Sequence, residues 1–182
     1  MIKQVLGAAA AALLASTAAA QPMAAARSTA MSGPTVADFK DAGGRNVGQV
    51  ALQEAPTGML VRLDLRGLRP GWHGLHFHAV GDCSDMKFER AGAHVNATPK
   101  RAHGLLNPAG PDYGDLPNVF IGADGTGRTE VFSGLVSLTG AGGRAALRDA
   151  DGSALMIHAN ADDQTTQPIG GAGARLACAV IR

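Results

Sequence analysis

Between Met59 and Leu65 apolar and polar residues alternate, with Met59, Val61, Leu63 and Leu65 on one side and Arg62 and Asp64 on the other. Side chains of a strand point to its two faces in turn, so this segment predicts a strand with one buried face. Shorter apolar runs over Gly74–Ala79, Asn118–Ile121, Arg128–Val131, Ala154–His158 and Leu176–Ile181 predict further strands. Asp124-Gly125 and Asp151-Gly152 stand between them as turn dipeptides. Beyond the N-terminal leader no stretch carries the spacing of an amphipathic helix of ten or more residues. Short strands punctuated by turns predict an all-β sandwich or barrel.

Two segments break this rhythm. Val80–Leu116 is rich in His, Asp, Gly and Pro without periodicity, and Ala159–Ala174 is similar, with an acidic start. Long loops without regular structure in a compact domain are usually functional, and both of these flank histidines.

The N-terminus reads differently again. A charged start with Lys3, an apolar Ala/Leu stretch and Ala18-Ala19-Ala20 before Gln21 match a secretory signal peptide over 1–20. The apolar run from Val5 to Ala20 is shorter than the roughly 20 residues that cross a bilayer, so no membrane anchor is expected. Residues 21–33 read as a flexible lead-in and 34–182 as one domain. The product is then soluble and exported, periplasmic or secreted. Losing Lys3 with the leader leaves 15 basic against 15 acidic residues, and there is no long basic run, so nucleic acid is not an expected partner. Monomer and homodimer both stay open. Cys83 and Cys178 are the only cysteines. In an exported chain two cysteines suggest one disulfide, with two buried free thiols as the alternative.

All six histidines, His73, His76, His78, His94, His103 and His158, lie beyond the leader and lead-in. In His76-Phe77-His78 the two imidazoles share one face of a strand, while Phe77 takes the other. His158 ends the apolar run Ala154–Ile157 and can add a nitrogen from a neighbouring strand. Three or four imidazole nitrogens with an open position suit copper. His94, His103, Asp112 and Asp115 all lie in the first long loop, and such a nitrogen and carboxylate set suits a closed zinc site. A metal there would order a loop too poor in apolar residues to order itself.

At this point the sequence resembles the copper/zinc superoxide dismutases of exported bacterial type. The matching stretches run in family order: Gly71-Trp72-His73-Gly74-Leu75-His76-Phe77-His78, Gly81-Asp82-Cys83, Ala91-Gly92-Ala93-His94-Val95-Asn96, His103-Gly104, Gly114-Asp115-Leu116-Pro117-Asn118, Ile157-His158-Ala159-Asn160-Ala161-Asp162-Asp163 and Gly173-Ala174-Arg175-Leu176-Ala177-Cys178. The resemblance implies a Greek-key β-sandwich or flattened barrel with two long functional loops. It implies copper ligands at His76, His78, His94 and His158, with His94 bridging to zinc, and zinc ligands at His103 and Asp115. Asp162 is similar to the carboxylate that links a copper-ligand histidine to a zinc-ligand histidine. Arg175 resembles the arginine that draws in the anion, Cys83 and Cys178 the family disulfide, and His73 a structural histidine. The implied reaction converts two superoxide anions and two protons to oxygen and hydrogen peroxide, with copper alternating between cupric and cuprous states and His94 carrying a proton.

One position departs from the pattern. The family usually places a third zinc histidine three residues before the Gly-Asp-Leu aspartate, where Pro111-Asp112-Tyr113-Gly114-Asp115 puts Asp112. A carboxylate can ligate zinc, which gives a set of two histidines and two aspartates. The alternatives are a three-ligand or weak zinc site, a copper-only dismutase, and an exported copper-binding module without turnover. The four copper positions and Arg175 argue against the last.

Overall fold

The computed structural model describes residues 33–182. The expected signal peptide over 1–20, and all of the lead-in but Gly33, lie outside the described residues. The main sheet has seven antiparallel strands: β1 (Thr35–Asp41), β2 (Asn46–Ala55), β3 (Gly58–Leu65), β5 (Leu75–His78), β7 (Gly127–Ser133), β10 (Ser153–His158) and β11 (Arg175–Ile181). Their order across the sheet is β5-β10-β11-β1-β2-β3-β7. β4 (Gly71–His73) pairs with β6 (Val119–Ile121), and β8 (Val136–Ser137) with β9 (Ala145–Ala146). The β4–β6 ladder feeds β5 on one side and β7 on the other, so it stands between the two edges of the curled main sheet. This is the all-β architecture that the alternation predicts.

The alternation on β3 is realised as read. Met59, Val61, Leu63 and Leu65 are buried, and Arg62 and Asp64 face solvent. They join Phe39, Val50, Leu52, Leu75, Phe77, Leu155, Ile157, Ala177, Ala179 and Ile181 in one core. Six of the observed strands match predicted ones within a residue or two at most of their ends. β1, β2, the three-residue β4 and the two-residue β8 and β9 have no counterpart among the predicted strands.

What places the site is the parity of β5 and β10. Leu75 and Phe77 of β5 and Leu155 and Ile157 of β10 point into the core. His76 and His78, and Ala154, Met156 and His158, therefore take the opposite face. β5 and β10 are neighbours, with His76 opposite Met156 and His78 opposite Ala154, and His158 lies opposite Arg175 on β11. That second face is not left to solvent: the loop after β5 covers it with Phe88 and Ala91, which pack with Ala154, Met156 and Cys178. The Cys83–Cys178 disulfide fixes this loop to β11, with the two Cα atoms 5.9 Å apart. Linking positions 95 residues apart contributes roughly 4–5 kcal/mol in the chain-entropy model.

Candidate metal centre

The first long loop reaches the histidines by lying along β5. Val95 N–H donates to Phe77 O, Gly114 N–H to Val95 O, and Phe77 N–H to Gly114 O, each within 2.9 Å. These contacts set His94 beside His78 and Asp115 beside His76 as isolated bridges. The approach is so close at Gly114 that a Cβ there would strike Phe77 O and come within 3.1 Å of the His94 Cβ. Glycine at this position is a condition of the site.

Two groups of side chains result, and they share His94. Ligand atoms of His76, His78, His94 and His158 all lie within 4.8 Å of one another, as do those of His94, His103, Asp112 and Asp115. All seven residues are buried. The structure thus brings together every residue that the sequence singles out for copper and for zinc, Asp112 included.

The hydrogen bonds decide which nitrogen of each ring is available. A carbonyl oxygen only accepts, so the Nδ1 atoms of His78 and His158 carry hydrogens donated to Gly92 O at 2.9 Å and Gly173 O at 3.1 Å. His76 donates Nε2–H to Asp162 Oδ2 at 2.7 Å, and His94 donates Nδ1–H to Asp112 Oδ2 at 3.0 Å. The remaining ring nitrogens are His76 Nδ1, His78 Nε2, His94 Nε2 and His158 Nε2. Each of these four is buried with no hydrogen-bond partner. Four bare nitrogen lone pairs in one small space are costly unless a cation takes them. The donor set is all imidazole, which fits copper.

Electrostatics agree with this division. Burial, and then repulsion from His94, hold His78 well below the ordinary histidine range. Burial and the neighbouring His76 push His158 down to about 3. Burial also lowers His76, against the pull of Asp162. These rings stay neutral and ready to ligate. The zinc-type group behaves in the opposite way. His103 donates from Nδ1 to Asp115 Oδ1 at 2.5 Å and from Nε2 to Asp162 Oδ1 at 3.1 Å. Burial pulls His103 down, but these two carboxylates push it up to about 10. His94 is likewise raised, because the bonds to Asp112 and Asp115 outweigh burial.

The outer shell is dense. Asp162 joins the two groups through His76 and His103, and Asn118 clamps its backbone at both N–H and C=O. Gln167 clamps the backbone of His103 in the same two-way manner. Sequence reasoning gave Asn118 no role and did not find Gln167. No spacing marks a polar loop residue that bonds backbone 64 positions away. His73 has both ring nitrogens occupied by the carbonyls of His158 and Arg69, and it stands outside both groups.

Arg175 donates from Nη1 to Phe88 O and from Nη2 to Gly92 O at 2.6 Å. Gly92 O accepts from His78 as well, so the arginine and a ring of the four-histidine group hang from one carbonyl. Both carbonyls belong to the loop that the disulfide secures. Arg175, His78, His94, Lys100, Arg101 and Asp112 line a cavity of about 370 Å³ that gives access to the centre.

The chain is similar to known proteins over most of its length. The copper/zinc superoxide dismutase family model matches residues 46–181. A superoxide dismutase [Cu-Zn] of Caulobacter vibrioides is 58% identical over 139 residues, 76% of this chain and 80% of that protein. The crystal structure of a double mutant of a superoxide dismutase-like protein from Bacillus subtilis superposes with a TM-score of 0.77 at 36% identity, covering 82% of this chain and 99% of the other. Copper/zinc superoxide dismutase from Brucella abortus gives a TM-score of 0.64 at 30% identity, over 82% of this chain and 99% of that one. With the match spanning nearly all of the described domain, this chain belongs to the copper/zinc superoxide dismutase family.

Proposed function

We propose that the family's dismutation of superoxide takes place here at copper held by His76 Nδ1, His78 Nε2, His94 Nε2 and His158 Nε2. Zinc would be held by His94, His103, Asp112 and Asp115, in place of the hydrogen bonds that now join them. The single observation that supports the copper assignment most strongly is the set of four buried ring nitrogens without a partner. Copper, when bound, supplies the one-electron redox step by which two superoxide anions and two protons give oxygen and hydrogen peroxide.

The rest of the task falls to the side chains. Arg175 binds the incoming anion: its guanidinium is pinned by Phe88 O and Gly92 O, and its charge does not titrate away near neutral pH. Cations at a narrow cavity raise the local concentration of a small anion and orient it, an effect for which the handling of superoxide by this family is itself a standard example. His94 lines the same cavity and presents its otherwise unpartnered Nε2 there, so it is the group placed to take up a proton and deliver it to reduced substrate. Asp162 keeps His76 and His103 in orientation by taking one hydrogen from each. The reading extends to place: a chain closed by a disulfide works in an oxidising compartment, the periplasm or outside the cell.

The test is metal content and dismutase activity after reconstitution with both metals, for the wild type and Asp112→His. One copper and one zinc per chain with rapid turnover supports the full assignment. Copper without zinc in the wild type, with zinc gained by Asp112→His, removes Asp112 from the zinc ligands. Bound copper without turnover in either form overturns the catalytic assignment.

A further inference from the structure

Asp112 stands where the family usually has a histidine, and its surroundings fix it more firmly than a zinc ligand alone requires. Its Oδ2 accepts from His94 Nδ1 at 3.0 Å, its Oδ1 accepts Gly114 N–H at 3.0 Å, and its own N–H donates to Asp115 Oδ2 at 2.9 Å. The carboxylate is buried. Swinging away from His94 would cost it the bond from the N–H of Gly114, the residue wedged against β5. The ring of His94 is thereby held by its Nδ1, and its Nε2 is left bare and aimed at the three other free nitrogens. A carboxylate that orients a metal-ligating imidazole through its second nitrogen raises the basicity of that ring and fixes its tautomer. A neutral imidazole at position 112 would offer His94 a weaker partner, because hydrogen bonds to an ionised acceptor are roughly twice as strong as neutral ones.

We infer that Asp112 is a positioning residue for copper: it keeps His94 Nε2 aimed into the four-histidine group when zinc is absent, so that this chain binds copper in its final geometry without zinc. The inference rests on the copper assignment made above. It separates this chain from a site with histidine at position 112, in which zinc itself would be the main restraint on the bridging ring.

The experiment titrates copper into zinc-free wild type, Asp112→Ala and Asp112→His. Affinity is read by competition with a chelator, and the cupric centre by electron paramagnetic resonance. Zinc-free wild type is expected to give one cupric spectrum with four-nitrogen character. Asp112→Ala is expected to bind copper about 10–100-fold more weakly, the usual effect of losing such a partner, with a mixed spectrum. Asp112→His is expected to show the same weakening without zinc and to recover when zinc is added. That zinc-dependent recovery is a readout that a general loss of stability does not produce. Equal zinc-free copper affinity and identical spectra in all three proteins would overturn the inference. If Asp112→Ala does not fold, Asp112→Asn, which keeps the shape and an acceptor for Gly114, carries the same comparison with a several-fold loss expected. A separate control, His158→Ala, must lose copper affinity in every form. If it does not, the copper assignment itself is wrong, and that failure is distinct from failure of the role given to Asp112.

Discussion

In the copper group four ring nitrogens lie buried with nothing to bond, whereas in the zinc group the ring nitrogens already meet carboxylates and those carboxylates meet backbone N–H groups. The two groups are adjacent, share His94 and are equally buried, so the contrast comes from chemistry and not from location. Each unsatisfied buried polar atom costs on the order of 1–3 kcal/mol. The copper group is therefore a standing cost to the fold that a cation removes. The zinc group is a self-neutralising network that a cation must break into. Metal should be more necessary to the first and more replaceable in the second.

The largest effect that can break this comparison comes from His158→Leu. Dismutase activity should fall by more than the about 10–100-fold that loss of an outer partner costs. Yet the metal-free protein should be no less stable, and up to about 1–2 kcal/mol more stable, because an unsatisfied nitrogen is replaced by an apolar group. Urea unfolding checks this, and a clear destabilisation would contradict it. Next in size, Asp115→Ala should destabilise the metal-free protein by about 3 kcal/mol, since His103 loses the closer of its two carboxylate partners. The N–H groups of Gly104 and Asp112 also lose their acceptor. A change under about 1 kcal/mol would show that the zinc network does not support the loop.

Arg175→Gln acts on neither set of ligands. It should lower kcat/KM by about tenfold or more, and make the rate less sensitive to ionic strength, with copper content unchanged. Stopped-flow decay of superoxide at two salt concentrations is the measurement.

The smallest effect is on pH dependence, and there the two groups pull in opposite directions. His158 is pushed down to about 3, below its ordinary 6.5. Between those values the unfolded chain binds a proton that the fold refuses, so acid destabilises. Asp162 and Asp115 are also held low despite burial, by His103 and other donors, which adds to the loss below the ordinary 3.8. His103 is raised to about 10, so from 6.5 upward the fold holds a proton that the unfolded chain releases, and base destabilises. Metal-free protein should therefore be most stable near pH 6.5. A maximum at pH 9 in urea midpoints would contradict the assignment of charge to His103.

The legible part of this molecule was the part governed by local periodicity. Alternation on β3 gave its buried face, and His76-Phe77-His78 gave two imidazoles on one side of β5. β1 and β2 were harder to read. β1 buries only Phe39, and its register with β2 shifts between Phe39 and Lys40, which blurs the period. The loops lie beyond such reading altogether, because their order comes from bonds between distant residues. His103 meets Asp162 across 59 positions, and Asn118 meets Asp162 across 44. A spacing can nominate aspartates, but it cannot say which oxygen faces which ring. The resemblance supplied those roles, and the structure shows the contacts through which they would act.

Asp162 gives one oxygen to His76 and the other to His103. One carboxylate cannot tighten on either ring without being felt at the other, so it turns two binding sites into partners in a thermodynamic exchange. Whatever factor zinc adds to the affinity for copper, copper adds to the affinity for zinc. By the same reciprocity, a wild type that binds copper without help from zinc would bind zinc without help from copper.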